Sequence, residues 1–121
     1  MPKRLTDEER AFRAVTEKDL QSRVMDIARL YGWRIAHFHD SRRQVKPGVF
    51  VGDKDAAGFP DLVLVRPPEL LVVELKRETG KVTDEQNAWL GALASCGVEV
   101  LVVRPSTERE LVVRLSRRDR S

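Results

Sequence analysis

Asp61 opens one apolar stretch, DLVLV (Asp61–Val65), and Glu74 and Lys76 close the next, LLVVELK (Leu70–Lys76). Both stretches are rich in Val and Leu, the composition of β-strands. Arg66-Pro67-Pro68-Glu69 lies between them as a turn signal. In an antiparallel hairpin centred between Pro67 and Pro68, Arg66 faces Glu69, Val65 faces Leu70, and Asp61 faces Glu74. Opposed residues have Cβ atoms about 4.5–5.5 Å apart and point to one face. Lys76, two residues past Glu74, shares that face. A one-residue slip would send the two acids to opposite faces. Opposed carboxylates repel each other, and a divalent cation removes that repulsion. Carboxylate oxygens are the ligands that Mg²⁺ and Mn²⁺ prefer. Two acids and a lysine around such a cation suit hydrolysis of a phosphodiester, because the cation polarises the phosphate and offsets charge in the transition state. The bland alternative is three solvated neighbours on an open sheet face. Glu74 argues against it by interrupting an otherwise apolar run.

Other elements must bring further groups to this face. The spacing of Leu20, Val24, Ile27, Ala28 and Tyr31 predicts an amphipathic helix from about Thr16 to Tyr31, ended by Gly32. Glu17 stands seven residues before Val24 and projects from nearly the same side, so it can reach the end of a packed sheet. It also suits the first helical turn through the helix dipole. Both roles stay open, with Gln21 beside it at i+4 as the other candidate from this helix. A second helix begins at Thr83, where Thr83-x-x-Gln86 makes a capping box, and ends at Gly97. Gln86 is polar on a face formed with Trp89, Leu90, Leu93 and Ala94, so it can cap the helix or aim at the acids. Trp89 is expected in the core. Trp33–Phe38 alternates as a strand and carries His37, which shares a face with His39 and is a candidate contact to substrate or to a water at the site. Two histidines do not make a structural zinc site.

Pro60-Asp61 followed by Glu74-Leu75-Lys76 resembles the PD-(D/E)xK nuclease signature. The fuller run of Gly58-Phe59-Pro60-Asp61-Leu62, Glu74-Leu75-Lys76, Gln86-x-x-Trp89-Leu90 and Gly97 before an apolar strand resembles the VRR-NUC branch of that superfamily. The branch includes stand-alone phage and bacterial nucleases and the catalytic domain of Fanconi-associated nucleases. The match covers roughly residues 16–105. The resemblance implies a restriction-endonuclease-like α/β core in the order α-β-β-β-α-β(-α), with a mixed central sheet flanked by helices. It implies Asp61, Glu74 and the Leu75 backbone carbonyl around Mg²⁺ or Mn²⁺, with Glu17 completing the site. Lys76 would orient the attacking water or stabilise the pentacovalent phosphorane, and Gln86 would position the lysine or the phosphate. It further implies structure-selective cutting of flaps or four-way junctions such as Holliday junctions, by a homodimer able to cut two strands. A non-catalytic nucleic-acid-binding module, or a nuclease subunit that needs a partner, are the alternatives.

Length and composition fit one domain, residues 1–121, with residues 1–15 and 117–121 peripheral. Thr6-Asp7-Glu8-Glu9 is a capping box for a short polar helix, and Thr107-x-x-Glu110 caps a last one to about Arg117. No apolar run approaches the roughly 20 residues of a membrane span, and the N-terminus lacks a signal-peptide pattern. With lone Cys96 read as buried and inert, a reducing cytoplasm is expected, that of the bacterial host if the protein is phage-encoded. The net charge of +3 is too small to imply nucleic acid by itself. Its clustering says more. Arg42, Arg43 and Lys46 sit in a long connection, 40–57, read as a mobile DNA-binding loop, with Val49-Phe50-Val51 as a short strand or a subunit contact. Arg114, Arg117, Arg118 and Arg120 crowd the C-terminus as further phosphate contacts. Val98–Val103 is a continuous apolar run, expected as a buried strand parallel to the hairpin after a crossover.

Overall fold

Threonines start the first three helices. The Thr6, Thr16 and Thr83 hydroxyls accept from the backbone N–H groups of Glu9, Asp19 and Gln86 and so satisfy amides that have no partner in the first turn. These helices are α1 (Asp7–Ala14), α2 (Glu17–Leu30) and α3 (Asp84–Ser95). Thr6 and Thr83 form full capping boxes with Glu9 and Gln86. The structure, a computed structural model, describes residues 4–38, 43–46, 49–51 and 54–118.

The strands are β1 (Arg34–His37), β2 (Arg43–Lys46), β3 (Val49–Val51), β4 (Leu62–Arg66), β5 (Glu69–Leu75) and β6 (Glu99–Val103), and a last helix, α4, spans Glu108–Ser116. The main sheet has the order β1-β4-β5-β6. β4 and β5 pair antiparallel with Arg66 opposite Glu69, Val65 opposite Leu70 and Leu62 opposite Val73, the register expected of a hairpin centred on the proline pair. A cis peptide joins Pro67 to Pro68 in that turn. β6 returns parallel to β5 after the α3 crossover, with Glu74 opposite Val102. The anticipated order α-β-β-β-α-β-α describes this sheet and its helices. α1 is an addition, and so is a separate hairpin in which β2 and β3 pair antiparallel. The 40–57 connection, expected as a loop, therefore carries two strands and a short 3-10 turn at Lys54–Ala56.

One face of the sheet carries the core. Leu62, Leu64, Leu71, Val73, Leu75 and Val103 alternate onto it and meet Leu20, Val24 and Ala28 of α2 and Leu111 and Leu115 of α4. α3 covers the other face thinly, and none of its residues is fully buried. Trp89, expected in the core, is half-buried instead and donates its Nε1–H to the Ala57 carbonyl at 3.1 Å. Cys96, expected to be buried, caps the exposed end of α3. β6 is an edge strand with only Val103 buried, and Val102 is 38% exposed. Its continuous apolar run therefore reflects a core on one side and a loose helix on the other. Thr107 does not cap α4 with its side chain; its hydroxyl accepts from the Arg104 N–H at 3.0 Å, within a 3-10 turn that precedes the helix.

The end of the hairpin away from Asp61 holds a buried ionic cluster. Arg66 donates to the Glu69 carboxylate at 3.0 and 2.9 Å and to the carbonyls of Tyr31, Leu115 and Arg117. Its guanidinium lies 4.3 Å from the Trp33 ring centre, a cation–π contact. Arg114 joins Glu69 at 2.9 Å and Glu99 through two bonds of 2.7 and 2.9 Å. One guanidinium, Arg66, thus serves carbonyls at the C-terminal ends of both α2 and α4, where cations are favoured. Arg114, read from the sequence as a phosphate contact, is 7% exposed and committed to this cluster. A long arginine is buried only when its donors are met, and here two glutamates meet them.

Candidate active site

Extending the β4–β5 register by one residue sets Asp61 opposite Glu74, as the spacing predicts. The two strands interlock there, because Asp61 Oδ2 accepts the Leu75 backbone N–H at 2.8 Å. Glu74 is 2% exposed and Lys76 is 9% exposed, an unusual degree of burial for two charged side chains. Strand alternation puts both on the face of Asp61. The Lys76 N–H donates to the Val103 carbonyl at 2.9 Å, so the backbone beneath the lysine is fixed by the parallel neighbour.

Gln86 performs both functions that its position allows. Its Oε1 accepts the Thr83 N–H at 2.8 Å, closing the capping box, and its Nε2 donates to Glu74 Oε1 at 3.1 Å. The cap fixes which end of the amide is oxygen, and so directs the NH₂ group at the glutamate. Two contacts hold α3 in this position. Gly58, at φ +83°, passes so close to the helix start that a Cβ there would lie 2.7 Å from the Glu85 carbonyl carbon and 2.9 Å from the Gln86 nitrogen. Only glycine meets both the backbone angle and that spacing. Arg104, which the sequence reading missed, donates to the carbonyls of Arg77 and Gly80 at 2.7 Å each and ties down the connection between Lys76 and α3.

Glu74 is electrostatically strained. Burial, then the facing Asp61 carboxylate, push its pKa from 4.5 up to about 8; Glu17 adds to the shift and Lys76 opposes it. Glu74 Oε2 is buried without a hydrogen-bond partner, the sole such side-chain atom among the described residues. A buried, unpartnered carboxylate oxygen beside a second carboxylate fits a divalent cation. No three His, Cys, Asp or Glu side chains among the described residues converge into one ligand shell. Asp61 and Glu74 are the two carboxylates that could hold such an ion, and a pair of carboxylates fits Mg²⁺, which is usually held by one or two with several waters retained.

The remaining candidates divide. Glu17 is exposed at the first turn of α2, and its charge adds to the upward shift of Glu74. Gln21, half-buried one turn on, has no hydrogen bond to the site. His37 pairs with Leu62 in β1–β4 and so points to the core face, away from the acids. By strand alternation it is not on the face that carries Asp61 and Glu74. His39 and Arg42 lie outside the described residues, as do the side chains of Arg43 and Lys46.

The raised pKa has a measurable sign. Between pH 4.5 and about 8 the folded, metal-free protein keeps a proton on Glu74 that the unfolded chain has lost. Its contribution to stability is fully present at the acid end and lost as pH rises through about 8. Denaturant midpoints of metal-free protein should fall over this window, and Glu74→Gln should flatten that component. A wild-type profile unchanged by the substitution would place the raised pKa elsewhere.

Two comparisons bear on this arrangement. The family model described as VRR-NUC domain matches residues 7–106. A solved structure of a "VRR_NUC domain" aligns with a TM-score of 0.62 at 20% sequence identity, covering 83% of this chain and 97% of that chain. Among curated proteins, none matches.

Proposed function

Because the chain belongs to the VRR-NUC family, and so carries a nuclease-type domain, we propose that it is a metal-dependent DNA endonuclease acting at Asp61, Glu74 and Lys76. The observation that carries this reading is Glu74 Oε2, buried without a partner, on the face shared with a second carboxylate and a nearly buried lysine. Asp61, Glu74 and the Leu75 backbone carbonyl would hold Mg²⁺ or Mn²⁺, which when bound polarises the phosphate and offsets charge in the transition state. Lys76 orients the attacking water and stabilises negative charge on the phosphoryl oxygens. Gln86 fixes the Glu74 carboxylate, leaving Oε2 to face the site. Glu17 adds negative charge at the rim that favours a cation.

Substrate choice follows from size. A domain of 121 residues offers little surface for reading base edges, which favours recognition of DNA shape, such as a flap or a four-way junction. A homodimer would supply two sites for two strands. The edge strand β6, with Val102 exposed, and the thinly packed α3 are surfaces that a second copy could cover. Sedimentation should show a dimer, at least with DNA; a monomer at high concentration would count against this part. The Arg43 and Lys46 region is read as a phosphate contact. No helix among the described residues is long and apolar enough to cross a membrane, and a cytoplasmic setting is part of the proposal.

The test is cleavage of single strands, duplexes, flaps and four-way junctions with Mg²⁺ and then Mn²⁺, with Glu74→Ala in parallel. Cutting by wild type that Glu74→Ala abolishes is the expected result. Binding without any cutting, unaffected by the substitution, would turn the reading to a non-catalytic module.

A further inference from the structure

Phe38 is the residue across from Asp61 on the outer side. β1 pairs His37 with Leu62, and one step further the Phe38 N–H donates to the Asp61 carbonyl at 2.8 Å. β4 pairs Leu62 with Val73, which sets Asp61 opposite Glu74. Side chains at matching positions across a sheet point the same way. Phe38, Asp61 and Glu74 therefore form one row on one face, with an aromatic ring at its outer end.

Phe38 is 43% exposed. Its orientation is set from the inside. The Phe38 and Phe59 rings meet edge to face at 5.2 Å and 74°, and Phe59 meets Trp89 at 5.0 Å and 76°. The series runs from α3 to the rim of the acid pair. A phenylalanine kept only for packing forfeits about half of what burial offers when it is left so open. Arg34 and Ala36 alternate onto the same face of β1 and are exposed as well. An open ring beside a phosphodiester site, with a cation further along the same strand, combines stacking and backbone attraction, which together bind single-stranded nucleic acid.

Resting on the nuclease reading, we infer that Phe38 is a specificity-determining residue whose open face stacks an unpaired DNA base beside the scissile phosphate. A base within a duplex has both faces against its neighbours and cannot meet the ring unless it leaves the stack. The site therefore favours DNA at the point where a strand departs from the duplex.

The test is equilibrium binding by fluorescence anisotropy, in Mg²⁺ and in a Lys76→Ala background so that the DNA stays whole. A forked duplex is compared with a fully paired duplex of the same sequence. Phe38→Leu should weaken binding to the fork about tenfold, the scale of one base–aromatic stack, and leave the paired duplex unchanged. Phe38→Tyr, which keeps the ring, should behave as the parent. An abasic nucleotide at the first unpaired position should cost the parent a similar factor and cost Phe38→Leu nothing further. Equal losses on both DNA shapes, or none on either, would overturn the inference while leaving the nuclease reading intact. A protein that binds no DNA of any shape would overturn both.

Discussion

Replacing Lys76 with alanine should lower the single-turnover rate of DNA cleavage by about 10²–10⁴-fold, the range for a positioned proton-transfer or charge-stabilising group. The lysine is 9% exposed and shares a face with Asp61 and Glu74, so no other cation can take its place from solvent without rebuilding the site. Its charge also lowers the proton affinity of Glu74. The substitution therefore has a second, indirect effect: Glu74 holds its proton more tightly and competes better with a metal ion. The two effects separate experimentally. Saturating Mg²⁺, at a pH well above the wild-type value of about 8 because Glu74 titrates higher still without the lysine, removes the indirect one. A loss that persists there belongs to the reaction itself. Lys76→Arg keeps the charge but presents a planar fork in place of a compact ammonium, and should recover metal affinity more than rate. A Lys76→Ala rate within a few-fold of wild type at saturating metal would remove Lys76 from the proposed chemistry.

The largest effect on stability should come from Glu69→Gln, at the far end of the same hairpin. Glu69 receives Arg66 and Arg114, and all three side chains are 8% exposed or less. Neutralising the carboxylate leaves two buried guanidinium groups with less compensation. Loss of one partner from a buried ion pair costs about 3–5 kcal/mol. Against a total of about 5–15 kcal/mol for a domain, that is a large share. The carbonyls of Tyr31, Leu115 and Arg117 still accept from Arg66, which favours the lower end of that range. Asp26→Asn is the control, because its ion pair with Arg29 is 78% and 59% exposed and such pairs contribute about 0–1 kcal/mol. Denaturant titration of both variants with an unchanged m-value decides the matter. Similar losses in the two would mean that the cluster contributes no more than a surface pair.

The hairpin register was readable from local pattern because alternation in β4 and the turn allow one pairing that buries Leu62, Leu64, Leu71 and Val73 together. Gln86 was readable for a similar reason: a capping box fixes where a helix starts, and the spacing then aims the side chain. The ionic cluster was not readable. Arg66 and Glu69 look like ordinary turn residues, and Arg114 like part of a basic tail, until α4 folds back across Trp33 and removes all three from water. Composition also misjudged β6 and α3. An apolar run states that a segment can be buried, while the amount of cover depends on what packs outside it, and here no residue of α3 is buried. A single step of strand parity separates His37, on the core face, from Phe38, on the face of the acids, and an aromatic at a strand end is ordinarily core.

The loose packing of α3 has a consequence for the order in which the molecule opens. β5 is buried along nearly its whole length and belongs to the last structure to yield, whereas α3 has no buried residue to hold it. Amide hydrogens of α3 should exchange with solvent through a partial opening that leaves β4 and β5 closed. Gln86 belongs to the helix that opens first, and Glu74 to the strand that opens last. A cation on Glu74 would slow exchange at α3 only if the amide of Gln86 keeps the helix engaged with the strand, so protection at that helix would report on the site from the outside.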